Sequence, residues 1–202
     1  MATRPPADVD ARLRVYQDTL IRWNAAINLV GRRDLPHLAT RHIADSRQVG
    51  ELPAPLPPNA IDLGSGGGFP GLVLAIAFGI HVDLIEEDQR KCAFLREAAR
   101  LTGAPVTVHA QRIETLRIPP APLVTARALA PVARLLALAE PLLAPGGECR
   151  FLKGREAEAE LAEAAAGWTM TVERFPSRTD PSGVILRLTD IGRRFGAAGT
   201  SL

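Results

Sequence analysis

Apolar residues recur three or four positions apart at Leu13, Tyr16, Leu20, Trp23, Ile27 and Val30. That spacing predicts an amphipathic helix over residues 9–30, with Tyr16 and Trp23 as core anchors. A second, shorter helix is expected over 35–50. The next stretch, Leu52-Pro53-Ala54-Pro55-Leu56-Pro57-Pro58, cannot be helical and reads as a stiff connector. Beyond it, short apolar runs alternate with helical patterns. Strands are expected leading into Asp62 and over 81–85, 106–110, 123–126 and 149–152, with Gly146-Gly147 turning the chain into the last of these. Helices are expected from Gly71 and over 88–101, 131–143 and 155–166. Two further runs, 168–175 and 184–188, flank Asp180-Pro181-Ser182-Gly183, the signature of a turn joining antiparallel strands. Repeated β-α units ending in a hairpin predict a mostly parallel seven-stranded sheet with one reversed strand and helices on both faces. The expected organisation is a helical cap and connector over 1–58, an α/β body over 59–191 and a disordered tail over 192–202.

The most informative stretch is Asp62-Leu63-Gly64-Ser65-Gly66-Gly67-Gly68-Phe69-Pro70-Gly71. A strand, a glycine turn and a helix in that order let backbone approach a nucleotide-like ligand closely, because no Cβ intervenes. Gly66-x-Gly68-x-x-Gly71 also fits a dinucleotide fingerprint, in which a pyrophosphate sits on the helix N-terminus. Asp62 argues against that ligand, since a carboxylate repels pyrophosphate but suits the cationic part of S-adenosylmethionine. Pro70 removes one N–H from the first helical turn, which also weakens a phosphate cradle. S-adenosylmethionine is therefore the preferred ligand, with a dinucleotide or a purely structural turn as the alternatives. The second strand ends in Glu86-Glu87, about 20 residues after the glycines, where a carboxylate accepts ribose hydroxyls. Glu86 directly follows the apolar run and takes that role; Glu87 and Asp88 suit the start of the next helix.

With 202 residues and 47% hydrophobic content, one compact body with a full core is expected. Met1–Arg14 lacks the apolar core of a signal peptide, and the run from Phe69 to Ile80 is too short to span a bilayer. Cys92 and Cys149 show no metal-ligand spacing and fit a reducing compartment. A cytoplasmic protein without metal or membrane association is expected. No extended apolar face calls for a second copy, so a monomer is expected.

A net charge of +2 says little, but its distribution says more. Arg32-Arg33 and Arg41-His42 are local basic clusters of the kind that contact RNA phosphates, and a plain solvated face is the competing reading. Of the 24 basic residues only Lys91 and Lys153 are lysine. Where arginine replaces lysine almost everywhere, a surviving ammonium points to a geometric need. Lys153, closing the fifth strand at the ligand edge of the sheet, is a candidate RNA contact.

Several segments together resemble one family: Trp23-Asn24-x-x-Ile27-Asn28-Leu29, Arg41-His42-Ile43-x-Asp45-Ser46, the glycine stretch from Asp62 to Gly71, Ala126-Arg127-Ala128 and Leu152-Lys153-Gly154. Over roughly residues 12–190 the chain resembles the bacterial RsmG (GidB) family of 16S ribosomal RNA methyltransferases. The resemblance implies a class I S-adenosylmethionine-dependent, Rossmann-like methyltransferase fold, and methylation of guanine N7 at the nucleotide conventionally numbered 527 in the small subunit. It also implies that Asp62, Gly64, Gly66, Gly68 and Phe69 line the cofactor and that Glu86 holds its ribose. Ile113 and Glu114 would flank the adenine, with Glu114 near its amine. Arg127, at the end of the fourth strand, would be the active-site arginine where cofactor and substrate meet. One departure is visible, since Arg90-Lys91 stands where the family commonly has Lys-Arg.

What is absent narrows the chemistry. Methylation of an exocyclic amine usually uses a polar residue followed by Pro-Pro and an aromatic after the fourth strand, but here that position reads Ala126-Arg127-Ala128-Leu129. Methylation of pyrimidine carbon 5 needs a cysteine nucleophile at that edge. Cys92 falls within a helix and Cys149 at the start of a strand. Guanine N7 needs neither device, because its lone pair is free and it has no proton to lose. No general base is assigned.

Overall fold

The computed structural model describes residues 8–194. The chain opens on α1 (Val9–Asn24), with the Asp8 side chain accepting from the Ala11 N–H at its start. It stops short of the expected residue 30. Asn24 Oδ1 accepts from the N–H groups of Leu29 and Val30, both at 2.9 Å, and so folds the chain back into a loop. The expected helix over 35–50 is irregular: a 3-10 turn (Leu35–His37), a π-helical segment (Leu38–Ile43) and only then α2 (Ala44–Gly50).

The body alternates as expected through β1 (Asn59–Leu63), α3 (Gly71–Phe78), β2 (His81–Glu86), α4 (Gln89–Thr102), β3 (Val106–Ala110) and β4 (Ala121–Arg127). It continues with α5 (Val132–Ala139), β5 (Leu143–Lys153), α6 (Ala157–Ala164), β6 (Trp168–Pro176) and β7 (Val184–Arg193). β5 begins at Leu143, ahead of Gly146-Gly147, because Ala121 already pairs with Leu143 across an irregularity in the β4–β5 register. β7 runs through Gly192 and Arg193, two residues into the expected tail; Thr169 opposite Gly192 and Trp168 opposite Arg193 extend the ladder. Residues 195–202 of that expected tail lie outside the described residues.

The seven strands form one sheet in the order β3-β2-β1-β4-β5-β7-β6, with β7 antiparallel to both neighbours. The order reverses between β1 and β4, and at such a switch point the helices leave to opposite faces and open a crevice at the carboxyl ends of the strands. One apolar layer packs Tyr16, Leu20, Leu72, Ile76, Phe94 and their neighbours between α1, α3, α4 and the sheet. The other packs Leu135, Leu136, Phe151, Leu161 and Trp168 under α5 and α6. Among the described residues no helix is long and apolar enough to cross a membrane.

A buried arginine ties the N-terminal segment to the sheet. Arg150 on β5 is fully buried and donates Nη1 to the Val49 carbonyl (2.7 Å) and Nη2 to the Pro55 carbonyl (3.0 Å). Its Nε donates to Glu148 Oε1 (2.6 Å), and Glu148 Oε2 accepts from Arg187 Nε (2.6 Å). The proline connector joins no ladder over residues 52–57, and its Pro55 carbonyl finds its donor here. Removing one member of a buried network leaves the rest uncompensated, at about 3–5 kcal/mol. Arg150→Met is therefore expected to lower the unfolding free energy by that amount, read in urea titrations as a lower midpoint at an unchanged slope.

Candidate active site

The loop from Gly64 to Phe69 carries the site, and it is held from two directions. The Gly66 N–H donates to Glu86 Oε2 at 2.9 Å, tying the loop to the end of β2. On the other side the Tyr16 hydroxyl of α1 donates to the Gly67 carbonyl at 2.5 Å. Tyr16 is thus more than the core anchor its position suggested. Gly64 sits at φ +64°, where an L side chain is strained, and a Cβ there would stand 2.8 Å from Leu129 Cδ1. Gly71 is required for a different reason, since a Cβ there would meet Asp62 Cβ and Leu84 Cδ2, each at 2.6 Å. It lets α3 start flush against β1 and β2.

A cleft of about 450 Å³ opens over this loop, lined by Gly64, Gly66, Glu86, Ile113, Glu114 and Arg127 among others. Glu86 accepts from the Gly66 and Asp88 N–H groups with one oxygen each, which orients the carboxylate and leaves further lone pairs. Ile113 and Glu114 lie on a 3-10 turn after β3, at the far end of the cleft. Glu114 Oε1 is engaged by Arg134 Nη2 at 2.7 Å, so its carboxylate is shared between the cleft and a surface ion pair.

Two expected cofactor contacts are placed differently. Asp62 is fully buried, and its Oδ1 accepts from Thr125 Oγ1 at 2.7 Å while Oδ2 lies beside Gly71 without a hydrogen-bond partner. Burial, opposed by the Thr125 bond, pushes its carboxyl up to about 6. It stands beneath the loop, off the cleft wall. Gly68, at φ +93°, is packed against Leu72 and Tyr16 and turns the chain into α3. Its place is in the scaffold.

Arg127, at the end of β4, lines the cleft, a second cavity of about 280 Å³ over the glycine loop, and a third of about 650 Å³ toward α2 and the β6–β7 turn. Its guanidinium stands 5.7 Å from the centre of the Phe69 ring, and Nη1 is buried with no hydrogen-bond partner. Burial draws its pKa down from the ordinary value. The next residue, Ala128, adopts φ 50°, a left-handed conformation costly for a residue with a Cβ and typical of functional turns. That twist sets Leu129 over Gly64. Phe69 lines the 280 Å³ cavity, packed against Tyr16 at 5.7 Å and His42 at 5.2 Å between ring centres.

A family model described as rRNA small subunit methyltransferase G (GidB) matches residues 10–181. The chain belongs to this family. The resemblance seen in its motifs is borne out. A ribosomal RNA small subunit methyltransferase G from Gluconobacter oxydans is 57% identical over 182 residues, covering 90% of this chain and 94% of the relative. The one from Rhodospirillum centenum is 57% identical over 186 residues, covering 91% and 85%. Among solved structures, the N-methyltransferase NodS from Bradyrhizobium japonicum WM9 in complex with S-adenosyl-L-homocysteine superimposes with a TM-score of 0.58 at 16% identity, covering 87% of this chain and 97% of that one. M. jannaschii TYW2 in complex with AdoMet gives 0.59 at 15% identity, covering 76% of each. The fold of this family member is that of the class I S-adenosylmethionine-dependent methyltransferases.

The cofactor expected for that fold suits the residues present. The side-chain-free turn at Gly64 and Gly66, the oriented Glu86 carboxylate and the apolar Ile113 form one wall with nucleoside-sized space. The residues expected to touch RNA divide. Arg32 and Arg33 are exposed, on the loop that Asn24 organises. Arg41 lines the 650 Å³ cavity and is braced by Asp180 (3.3 Å) and Asp34 (3.5 Å). His42 is not a phosphate contact in this structure: its ring is buried on Phe69, both nitrogens lack a hydrogen-bond partner, and burial with the nearby Arg127 cation lowers its pKa to about 4.

Lys153 is not a free ammonium either. It is nearly buried and donates to the Ala130 carbonyl at 2.9 Å while pairing with Glu160 Oε2 at 2.5 Å. That same oxygen accepts from the Val132 N–H at 2.9 Å, so the pair straps down the turn after Arg127. A geometric need for lysine is met, inside the fold. Ala128, Leu129, Arg134 and Asp45 were not singled out as site residues by sequence reasoning. Arg134 sits one helical turn into α5 with no motif, and Asp45 was visible only as part of Arg41-His42-Ile43-x-Asp45-Ser46.

His42 has a measurable consequence. A folded pKa of about 4 against 6.5 unfolded means its contribution to stability is complete above 6.5 and is lost as pH falls toward 4. Asp62, raised to about 6, acts oppositely, its contribution being complete below 3.8 and lost as pH rises through 6. His42→Phe removes only the first effect. Between pH 7 and pH 5 the variant is expected to lose about 2 kcal/mol less than the parent protein, as urea titrations at both pH values will read.

Proposed function

We propose that this chain is an S-adenosylmethionine-dependent methyltransferase acting on 16S rRNA of the small ribosomal subunit, and that it methylates N7 of guanine 527. What carries the reading, beyond family membership, is the meeting of a nucleoside-shaped cleft and a separate, larger cavity at a single pair of residues, Arg127 and Ala128. A donor on the glycine-loop side and an acceptor base on the other would face each other there. The protein is taken to act in the cytoplasm as a monomer.

Glu86 would hold the ribose and Ile113 the adenine, while the backbone of Gly64 and Gly66 passes beneath the chain leading to the sulfur. Bound there, S-adenosylmethionine would supply a sulfonium methyl carbon open to in-line attack by the N7 lone pair, the C–S electron pair leaving with sulfur and the positive charge passing to the purine. Positioning of two reactants is worth roughly 7–11 kcal/mol. His42 beside the junction has its pKa lowered to about 4 and makes a poor base. An acceptor without a proton to lose fits such a junction. Arg32 and Arg33, exposed on the loop after α1, would dock RNA phosphates and give the N-terminal segment a part in substrate binding, while Arg41 is held by Asp180 and Asp34.

The decisive experiment is labelled methyl transfer to small subunits from a strain lacking the protein, with the product mapped by chemical cleavage at 7-methylguanine. Label at one guanine in 16S rRNA is expected, and label in another base or none at all rejects the reading. Arg127→Ala is expected to reduce turnover on the order of 10²–10³-fold while calorimetry still detects S-adenosylmethionine uptake. Near-normal turnover would remove Arg127 from the site. The double replacement Arg32→Ala with Arg33→Ala is expected to weaken subunit binding and flatten its salt dependence by a slope of about 1–2, with cofactor affinity unchanged.

A further inference from the structure

The cavity beyond Arg127 contains two charged groups, set back from solvent, that the protein itself leaves unsaturated. None of the Arg127 nitrogens is hydrogen-bonded or ion-paired to a described residue, although the side chain is largely buried. An unpaired charge held away from water is costly, and such a group usually has its partner in a ligand. Asp45, on α2 and only 8% exposed, borders the same cavity. The hydroxyls of Ser177 and Thr179 both donate to its Oδ1, which fixes the carboxylate plane. Oδ2 takes no hydrogen bond from a described residue.

The remaining charges of the cavity say what it is not. Arg41 is engaged by Asp180, and Lys153 by Glu160, so two of its cations already face carboxylates, while Arg155 and Glu156 are an exposed pair of opposite charges at its edge. A phosphate in this space would meet those acids along with the free Asp45 oxygen. A neutral ring bearing both donors and acceptors fits better. Guanine carries donors at N1 and the 2-amino group, an acceptor at O6 beside them, and N7 on the edge beyond O6.

We propose that Asp45 and Arg127 together read the target base as guanine, Asp45 Oδ2 accepting from N1–H and the 2-amino group while Arg127 donates to O6. The proposal rests on the guanine-N7 assignment above and adds how the base is chosen. With its Watson–Crick edge engaged, the base is out of any pair, and N7 is left unobstructed. Adenine presents an amine to Arg127 and a bare N1 to Asp45, so both contacts become repulsive and the wrong base is rejected twice. The arginine lies against an oxygen, in the plane of the ring. That arrangement accommodates a cation next to a product that is itself cationic.

The test uses small subunits reassembled with guanine, inosine or 2-aminopurine at the target position, and single-turnover methyl transfer by the full-length protein. Inosine keeps O6 and N1–H but lacks the amine; 2-aminopurine keeps the amine but lacks O6 and N1–H. In the parent protein guanine is expected to outpace each analogue by roughly 10- to 100-fold. In Asp45→Asn the guanine-to-inosine ratio should fall toward one, and in Arg127→Met the guanine-to-2-aminopurine ratio should fall several-fold, the rest being kept by the N1–H contact to Asp45. Taking ratios between parent and variant cancels the intrinsic reactivity of each base. Ratios unchanged in both variants, with melting temperature and S-adenosylmethionine affinity preserved, overturn the proposal, and one unchanged ratio removes that residue from the pair. Should Asp45→Asn unfold through the loss of its hold on Ser177 and Thr179, the Arg127→Met series still decides the O6 contact. A parent protein that binds S-adenosylmethionine yet leaves guanine-bearing subunits unlabelled would reject the underlying function, and the base-reading pair with it.

Discussion

The site depends on a turn without side chains being held still from both sides. Gly66 is bonded to Glu86 at the end of β2, and Gly67 to Tyr16 on α1. Glycine has the most conformational freedom to lose, so a run of five residues with four glycines would otherwise sample many shapes. Two hydrogen bonds on adjacent residues, one from the sheet and one from the N-terminal helix, remove most of that freedom. The same Glu86 that orients the turn also lines the cleft, so ordering the loop and ordering that wall of the cleft are one event.

The N-terminal segment is therefore part of the active centre as well as a cover. α1 supplies Tyr16, and the loop after it supplies Leu29, Val30 and Gly31 to the cavity above the glycines. α2 supplies Asp45 and the Gln48 side chain, which donates to the Pro176 carbonyl at 2.8 Å and accepts from the Arg178 N–H at 3.0 Å. These bonds lock the β6–β7 turn against α2 and shape the far wall of the largest cavity. Arg150 anchors the segment again from below through the Val49 and Pro55 carbonyls.

The junction itself is built against local preference. Arg127 is buried without a partner, Ala128 is left-handed, and both His42 nitrogens lack hydrogen bonds. Sites that must accept an outside group tend to hold such unsatisfied or strained elements, maintained by the rigid structure around them. Here the maintenance is visible, because Lys153 and Glu160 grip Ala130 and Val132 directly after the strained residue. The surroundings of Arg127 are thus held in place by bonds made outside the junction itself.

Periodicity determined the succession of strands and helices along the chain, because burial of one face imposes a repeat that sequence shows directly, and the Asp180-Pro181-Ser182-Gly183 turn marked the hairpin with its reversed strand. The glycine turn and the placing of Glu86 at the cleft were equally legible, since close backbone approach demands glycine and the apolar run of β2 shows where the strand ends. What stayed hidden were the roles that depend on which distant side chain lies opposite. Asp62 reads as a cofactor contact but is sealed beneath the loop by Thr125 and Gly71; Lys153 and His42 read as RNA contacts but are turned inward by Glu160 and Phe69. Asp45 became a wall of the acceptor cavity only through Ser177 and Thr179, more than 130 residues away. A charge in a sequence has no direction until packing gives it neighbours, and those neighbours decide whether it meets solvent, a ligand or its own fold.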